Sequence, residues 1–258
     1  MRGAIRVERL EDRLEPRVPF PHKHDFYQLM FVTAGRGFHE IDFIKHPVKR
    51  GVFFNMKPEQ VHAWKLSGAK GFVIEFTHET LPTLLNRRLP DVVTIRSNRD
   101  IRAIADLCEV MFEAFEVERH RQQETLMLLL QALLIHFENS TTEKTDSKVT
   151  DSFTLRFQTL VENHYRKERR VEFYAKELKV SAKALTMRIS RTLGQSARTY
   201  VLRRVLLEAR RLLSQSDQPI ANIGYDLGFD DPNYFTRFFH EYAKENPSDF
   251  RQRSRKDF

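Results

Sequence analysis

PIANIGYDLGFDDPNYFTRFFHEYAKENPSDF, residues 219–250, has the period of two short helices broken by a tight turn. Ile220, Ile223, Gly224 and Leu227 recur at helical spacing and predict one buried stripe. Gly228-Phe229 supplies the turn. Asp230 or Asp231 is placed to accept a free backbone N–H at the start of the next helix. Pro232 falls in that helix's first turn, where a missing N–H costs nothing. Phe235 and Phe239, four residues apart, are then expected to face the first helix.

The same arrangement occurs once more, upstream, in VEFYAKELKVSAKALTMRISRTLG at 171–194. Phe173, Tyr174, Ala175 and Leu178 make the first apolar face, and Ala175 is small where a second helix must cross. Lys179-Val180 is the turn and Ser181 the expected N-cap. Leu185, Ile189 and Leu193 are expected on the buried side of the second helix, which Gly194 ends. From crossing residue to first core residue is ten positions here (Ala175 to Leu185) and eleven in the later unit (Gly224 to Phe235). The turns are therefore expected to differ by one residue. A third helix, Thr199 to Leu213, lies between the units. Its apolar stripe is Leu202, Val205, Leu206, Ala209, Leu212 and Leu213, with Arg203, Arg204, Arg210 and Arg211 elsewhere on the cylinder. A rigid connector would fix the separation of two reading heads, and successive turns of the major groove on one duplex face lie roughly 34 Å apart.

Charge follows the same division. Residues 152–258 carry 21 Lys and Arg against 13 Asp and Glu, whereas residues 1–151 carry 22 of each. The whole surplus of +8 sits in the half with the repeated motif, which points to a nucleic-acid partner for that half. In a helix-turn-helix the second helix enters the major groove. Setting aside the core positions leaves Lys183, Thr186, Met187 and Ser190 on the outer face of the first unit, and Asn233, Thr236, Arg237 and His240 on that of the second. Arg237 can make a bidentate contact to guanine and Asn233 to adenine; Thr186 and Met187 suit a thymine methyl.

The run I223-G-Y-D-L-G-F-D-D-P-N-Y-F-T-R-F-F, followed by the tail Asn246 to Arg251, resembles the signature of AraC/XylS-type transcription regulators. The resemblance implies double-stranded DNA as partner, transcriptional regulation, commonly activation, and contact with RNA polymerase. The earlier unit is a looser match, with Met187 and Val205 where relatives often carry arginine.

Residues 26–76 read as closely spaced strands: Tyr27 to Thr33, a turn at Ala34-Gly35-Arg36-Gly37, Phe38 to Ile44, a break at Gly51, Val52 to Met56, His62 to Leu66 and Gly71 to Phe76. This spacing predicts a small barrel or sandwich. His22, His24, Gln28, Gly35, Gly51, Pro58 and His62 occur in an order similar to that of cupin barrels, and more specifically to the ligand-sensing barrel of AraC-type regulators. Cupin enzymes hold a metal through three histidines and a glutamate. Here the glutamate position is Gln28, and a neutral amide is a poor divalent-metal ligand; His22, His24 and His62 could still hold zinc with water as a fourth ligand, but no metal or other cofactor is assigned. If the strand is regular, residues 22, 24 and 28 share one face. A small organic effector is the expected occupant, with His24, Gln28, His62 and Trp64 as candidate contacts. Phe20, Phe26, Tyr27, Met30, Phe38, Phe53, Phe54 and Phe72 are mostly core, and Arg13–Pro21 is a candidate arm across the barrel mouth.

Two helices are expected next: Asp100 to Phe115, and about Val117 to Asn139. The second contains LMLLLQALLI at 126–135, apolar nearly all round. Such a helix is covered on more than one side: on one by the barrel, and on the other by a second copy of the chain, making a homodimer, or, in a monomer, by the DNA-binding half; the homodimer is the favoured reading. The ten-residue run is too short to cross a bilayer. NSTTEKTDSKVTDS at 139–152 reads as a linker, and Phe153 to Tyr165 as an amphipathic helix. A lone cysteine allows no internal disulfide, and the charged start MRGAIRVERLEDR is no secretory signal; both place the chain in a reducing cytoplasm.

The sequence thus predicts an α+β protein of two domains. Residues 1–138 form a cupin-like sensing and dimerising domain, 139–152 a linker, and 153–258 an all-α DNA-binding domain. The reading is a regulator with no catalytic residues. Its rivals are a metal-dependent cupin enzyme with a DNA-binding tail and a ligand-independent regulator whose barrel core is filled.

Overall fold

A computed structural model of the chain describes residues 4–13, 21–80, 90–117, 120–140 and 152–256. The expected linker, but for its ends, and the arm beyond Arg13 up to Phe20 lie outside the described residues. Two compact units result, 1–144 and 145–258.

Among the described residues the first unit contains an antiparallel sheet of six strands: β1 (Arg6–Arg9), β2 (Tyr27–Ile41), β3 (Ile44–Val48), β4 (Val52–Met56), β5 (His62–Phe76) and β6 (Val92–Thr94). Its order is β1-β5-β2-β4-β6, with β3 also paired to β2. The expected turn at residues 34–37 is corrected: β2 runs straight through it, paired to β5 along its length, with register shifts between Val32 and Ala34 and between Ala34 and Arg36. The glycines there serve close approach. A Cβ on Gly37 (φ 138°) would lie 2.1 Å from the Lys65 carbonyl oxygen. The chain reverses instead at Asp42-Phe43, both with positive φ, so the expected strand 38–44 spans a real turn. His62–Leu66 and Gly71–Phe76 are likewise parts of one bent strand.

Both faces of the sheet are buried, and the strands alternate between them with the period of two. Leu29, Phe31 and Phe53 point to one side, where α1 (Asn98–Glu116) and α2 (Gln122–Ser140) cover them with Ile104, Met111, Leu130 and Phe137. Phe137 stacks on Phe53 at 3.6 Å between ring centres. Met30, Val32, Phe54, Met56 and Val73 point to the other, inner side. Val117 caps α1, so the second helix begins at Gln122 and not at Val117. Leu128 and Ile135, two turns apart on α2, remain 58% and 44% exposed.

The second unit has seven helices among the described residues: α3 (Ser152–His164), α4 (Val171–Glu177), α5 (Ala182–Leu193), α6 (Ala197–Gln215), α7 (Ile220–Asp226), α8 (Pro232–Ala243) and α9 (Pro247–Lys256). The connector α6 is longer at both ends than its apolar stripe implies, because Ser196 caps it through the Thr199 N–H. Its arginines are not a uniform outer face. Arg204 is 14% exposed and bridges Glu162 of α3 (2.8 Å) and Glu208 (3.1 Å), while Arg166 reaches Glu208 at 2.6 Å. Burial pushes the Glu208 carboxyl up, but Arg204 and Arg166 outweigh it and hold it below the ordinary value. The cluster ties α3 to the connector.

Candidate nucleic-acid interface and effector site

The two helix pairs in the second unit close with the same hydrogen bonds. The Val180 N–H donates to the Ala175 carbonyl and the Phe229 N–H to the Gly224 carbonyl, both at 3.0 Å. Lys179 and Gly228 hold the left-handed position between, with φ of 57° and 74°, as helix ends of this kind require. Glycine is needed at 228, where a Cβ would come 2.2 Å from the Arg166 carbonyl oxygen. Gly224 permits a close crossing, since a Cβ there would lie 3.1 Å from the Phe235 Cβ. Ser181 caps α5 by accepting from the Ala184 N–H at 3.1 Å. Of the two aspartates, Asp231 caps α8, accepting from the Asn233 N–H at 2.8 Å. The extra residue of the second turn is therefore Asp230. Leu185, Ile189, Phe235 and Phe239 are all fully buried; Leu193 is only half-buried, and Phe238 joins the core.

With those positions turned inward, Lys183 and Met187 on α5 and Asn233, Arg237 and His240 on α8 are exposed. Thr186, Ser190 and Thr236 are half-buried. The Thr236 hydroxyl donates to the Pro232 carbonyl within its own helix (3.1 Å). The outer face of α8 also carries Tyr234, 53% exposed, whose ring lies 5.9 Å from the Arg237 guanidinium. Sequence reasoning missed Tyr234 because an aromatic flanked by core phenylalanines reads as core. Arg188 is exposed too, but it lies over Phe153 of α3 at 4.2 Å.

The candidate effector residues sit in the first unit, on or beside the inner face of the sheet. The β2–β5 register places His39 opposite Trp64, Ile41 opposite His62 and Gln28 opposite Glu75. The His39 and His62 rings share a hydrogen bond at 3.1 Å, and His24 approaches His62 edge-on at 5.0 Å between ring centres. His62 and Trp64 are 5.6 Å apart. Gln28 donates to Glu75 at 2.9 Å, and Glu75 is ion-paired with Arg13. The expectation that 22, 24 and 28 share a strand face is corrected. Regular pairing of β2 starts at Tyr27, and His22 instead makes an isolated bridge to His62. His39, Glu75 and Arg13 were not among the expected residues; the pairing register brings in His39 and Glu75, and Arg13 comes from the 3-10 turn Leu10–Arg13 that follows β1.

The cluster is electrostatically unusual. Burial, and then the neighbouring histidines, push His39 down to about 3. His22 is pushed down to about 4 for the same reasons. His24 and His62 are also lowered, burial again being the first cause. A group of neutral imidazoles, an indole and a salt-bridged carboxylate can offer hydrogen bonds to a polar organic molecule. Among the described residues no group of three His, Cys, Asp or Glu could hold a metal ion. Nor is any helix among them long and apolar enough to cross a membrane.

A paired helix-turn-helix unit on a stiff connector, together with a two-faced antiparallel sheet, defines the double-headed DNA-binding transcription regulators. The chain matches the model of the AraC-like ligand binding domain over residues 5–137 and that of a helix-turn-helix domain over 174–253. It belongs to the AraC family of transcription regulators. The HTH-type transcriptional activator RhaS of Salmonella arizonae is 24% identical over 259 residues, covering 93% of this chain and 91% of the relative. The same activator of Salmonella newport is 24% identical over 261 residues, with the same two shares. Among solved structures, ToxT of Vibrio cholerae with bound unsaturated fatty acid has the same fold. It covers 96% of this chain and 95% of its own, at a TM-score of 0.50 and 13% identity.

Proposed function

We propose that this regulator activates transcription as a homodimer, in response to a small organic effector held on the inner face of the sheet. The single observation that carries the DNA reading is the pair of matching, capped helix-turn-helix units whose second helices present polar outer faces. Lys183, Thr186, Met187 and Ser190 face one major-groove segment, and Asn233, Thr236, Arg237 and His240 the next. Arg237 and Asn233 supply base hydrogen bonds. Thr236 contributes its methyl group, since its hydroxyl is engaged within the helix.

His24, Gln28, His62 and Trp64 contact the effector. Residues 1–138 sense and dimerise, 139–152 link, and 153–258 bind DNA. Dimerisation uses the face of α2 that leaves Leu128 and Ile135 exposed. The relatives' name, transcriptional activator, favours activation and hence contact with RNA polymerase, in the cytoplasm and without catalysis of its own. Effector and DNA then change each other's affinity by the same factor.

Binding-site selection with the full chain tests the reading. Arg237→Ala is expected to relax preference at one base-pair position and to weaken the parental site by about 1–3 kcal/mol, roughly 5- to 150-fold. A variant that kept the parent's base preferences at every position would overturn the assignment.

A further inference from the structure

The second unit has a cleft that neither reading head uses. Its volume is about 360 Å³, and residues of both helix pairs line it. One wall is the inner edge of the second helix pair: Phe229 of the turn, with Tyr234 and Phe238 of α8. The opposite wall is the entrance to α4 and the first turn of α6, which bring Arg169, Arg170 and Arg198. Glu172 is the only carboxylate among these lining residues.

The three arginines do different things. Arg169 is committed to the fold: its guanidinium donates to the Leu227 carbonyl at 2.7 Å and the Gly228 carbonyl at 2.6 Å, and lies 4.1 Å over the Phe229 ring. It clamps the segment leading into the first helix pair onto the turn of the second. Arg170 has an 80% exposed side chain and a loose contact to Glu168 at 3.8 Å. Arg198 is exposed on the first turn of the connector. Two guanidiniums are thus left to face an anion across a cleft with an aromatic wall.

Position identifies the anion. Tyr234 is a wall of the cleft and lies one turn before Arg237 on the outer face of α8. The cleft therefore opens beside the surface that meets DNA, between the two heads. Guanidinium forks match the tetrahedral oxygens of phosphate, and a duplex lying across both heads has to carry its backbone past this point. We propose that the cleft takes a backbone phosphate from the operator stretch between the two recognised segments, with Arg170 and Arg198 as its ligands. The Tyr234 phenol donates from the side. The inference rests on the reading that both heads engage one duplex, and it adds a sequence-independent clamp that sets their register.

The test uses the full chain with Arg170→Gln and Arg198→Gln together, on an operator found by selection. Both residues are at the surface, so the melting temperature is expected to hold. Affinity is expected to fall by a similar factor on every sequence, with base preferences intact. Losing the one phosphate contact lowers the salt slope by about 0.9, so the ratio of affinities at 50 and 200 mM salt shrinks about 3.5-fold. Methylphosphonate substitution in the intervening stretch should weaken the parent and leave the double variant unchanged, while Arg198→Lys keeps most of the slope. If the parent selects its sites but the double variant keeps both affinity and slope, the clamp is overturned and the reading heads stand. A parent with no sequence preference overturns both. If methylphosphonate costs both proteins equally while inorganic phosphate binds only the parent, the cleft is a free-anion site and the DNA clamp is overturned.

Discussion

Acid should destabilise the sensing unit well before it titrates the carboxylates, and His39 sets the scale. The ring is fully buried between Phe54, His62 and Trp64, at 4.7, 5.4 and 5.5 Å between ring centres. Burial, and then His46, His22 and His24, push it from 6.5 down to about 3. In the unfolded chain the same imidazole takes a proton near its ordinary value. The folded state is therefore at full stability above about pH 6.5 and loses it as pH falls from there towards 3. Each such group contributes a slope of about 1.4 kcal/mol per pH unit in that window. His39 alone then costs about 2 kcal/mol at pH 5 and about 2.5 kcal/mol at pH 4.5, relative to pH 7. His62 adds in the same direction. Trp64 is the chain's one tryptophan and stands against both rings, so its fluorescence follows this unit alone. Urea unfolding read at Trp64 between pH 7 and 4.5 should show a falling midpoint. His39→Gln, which keeps a hydrogen-bonding group towards His62, should lower the slope by about one proton. A midpoint flat from pH 7 to pH 5, or an unchanged slope in His39→Gln, would refute the reasoning.

Two further outcomes follow from local geometry. Asp231→Ala removes the acceptor for the Asn233 N–H at the start of α8; a loss of about 1 kcal/mol is expected in chemical denaturation followed by helix circular dichroism. Leu128→Glu with Ile135→Glu places two charges on the exposed face of α2 and should leave a folded monomer in sedimentation; a dimer that survived both would show that another surface is used.

How much could be read beforehand depends on the range of the interactions. Helix caps, left-handed ends and the four-residue spacing of Phe235 and Phe239 are decided within a few residues, so the second unit was legible almost throughout, including the one-residue difference between its turns. Which aspartate caps α8 was not, because Asp230 and Asp231 differ only in where the backbone turns. The sheet was legible in pieces. Gly35 and Gly37 mark a change of direction, but whether it is a hairpin or a bulge is decided by the partner strand. Here β5 bends in step with β2, with Gly68 and Gly71 opposite that region. The same dependence hid half of the polar cluster. His24, Gln28, His62 and Trp64 stand out by residue type, whereas His39 and Glu75 become neighbours only through the pairing of His39 with Trp64 and Gln28 with Glu75.

The two reading heads share a scaffold and differ in what they present. Aligned on Leu185 with Phe235 and Ile189 with Phe239, Lys183 corresponds to Asn233, Ala184 to Tyr234 and Met187 to Arg237. The outer face of α8 therefore has a bidentate donor and an amide in its first two turns, beside the phenol that borders the phosphate cleft. That of α5 has one flexible ammonium and an apolar thioether that is 65% exposed. Hydrogen-bonded readout discriminates between bases, whereas a methionine registers little beyond a thymine methyl. On the proposed reading, sequence choice is concentrated in the segment under α8, and α5 contributes mainly fit and charge. A rigid connector is what makes so unequal a pair workable: once the second head has found its bases, the first is delivered to a fixed place one groove turn away and needs only to be compatible with what it meets.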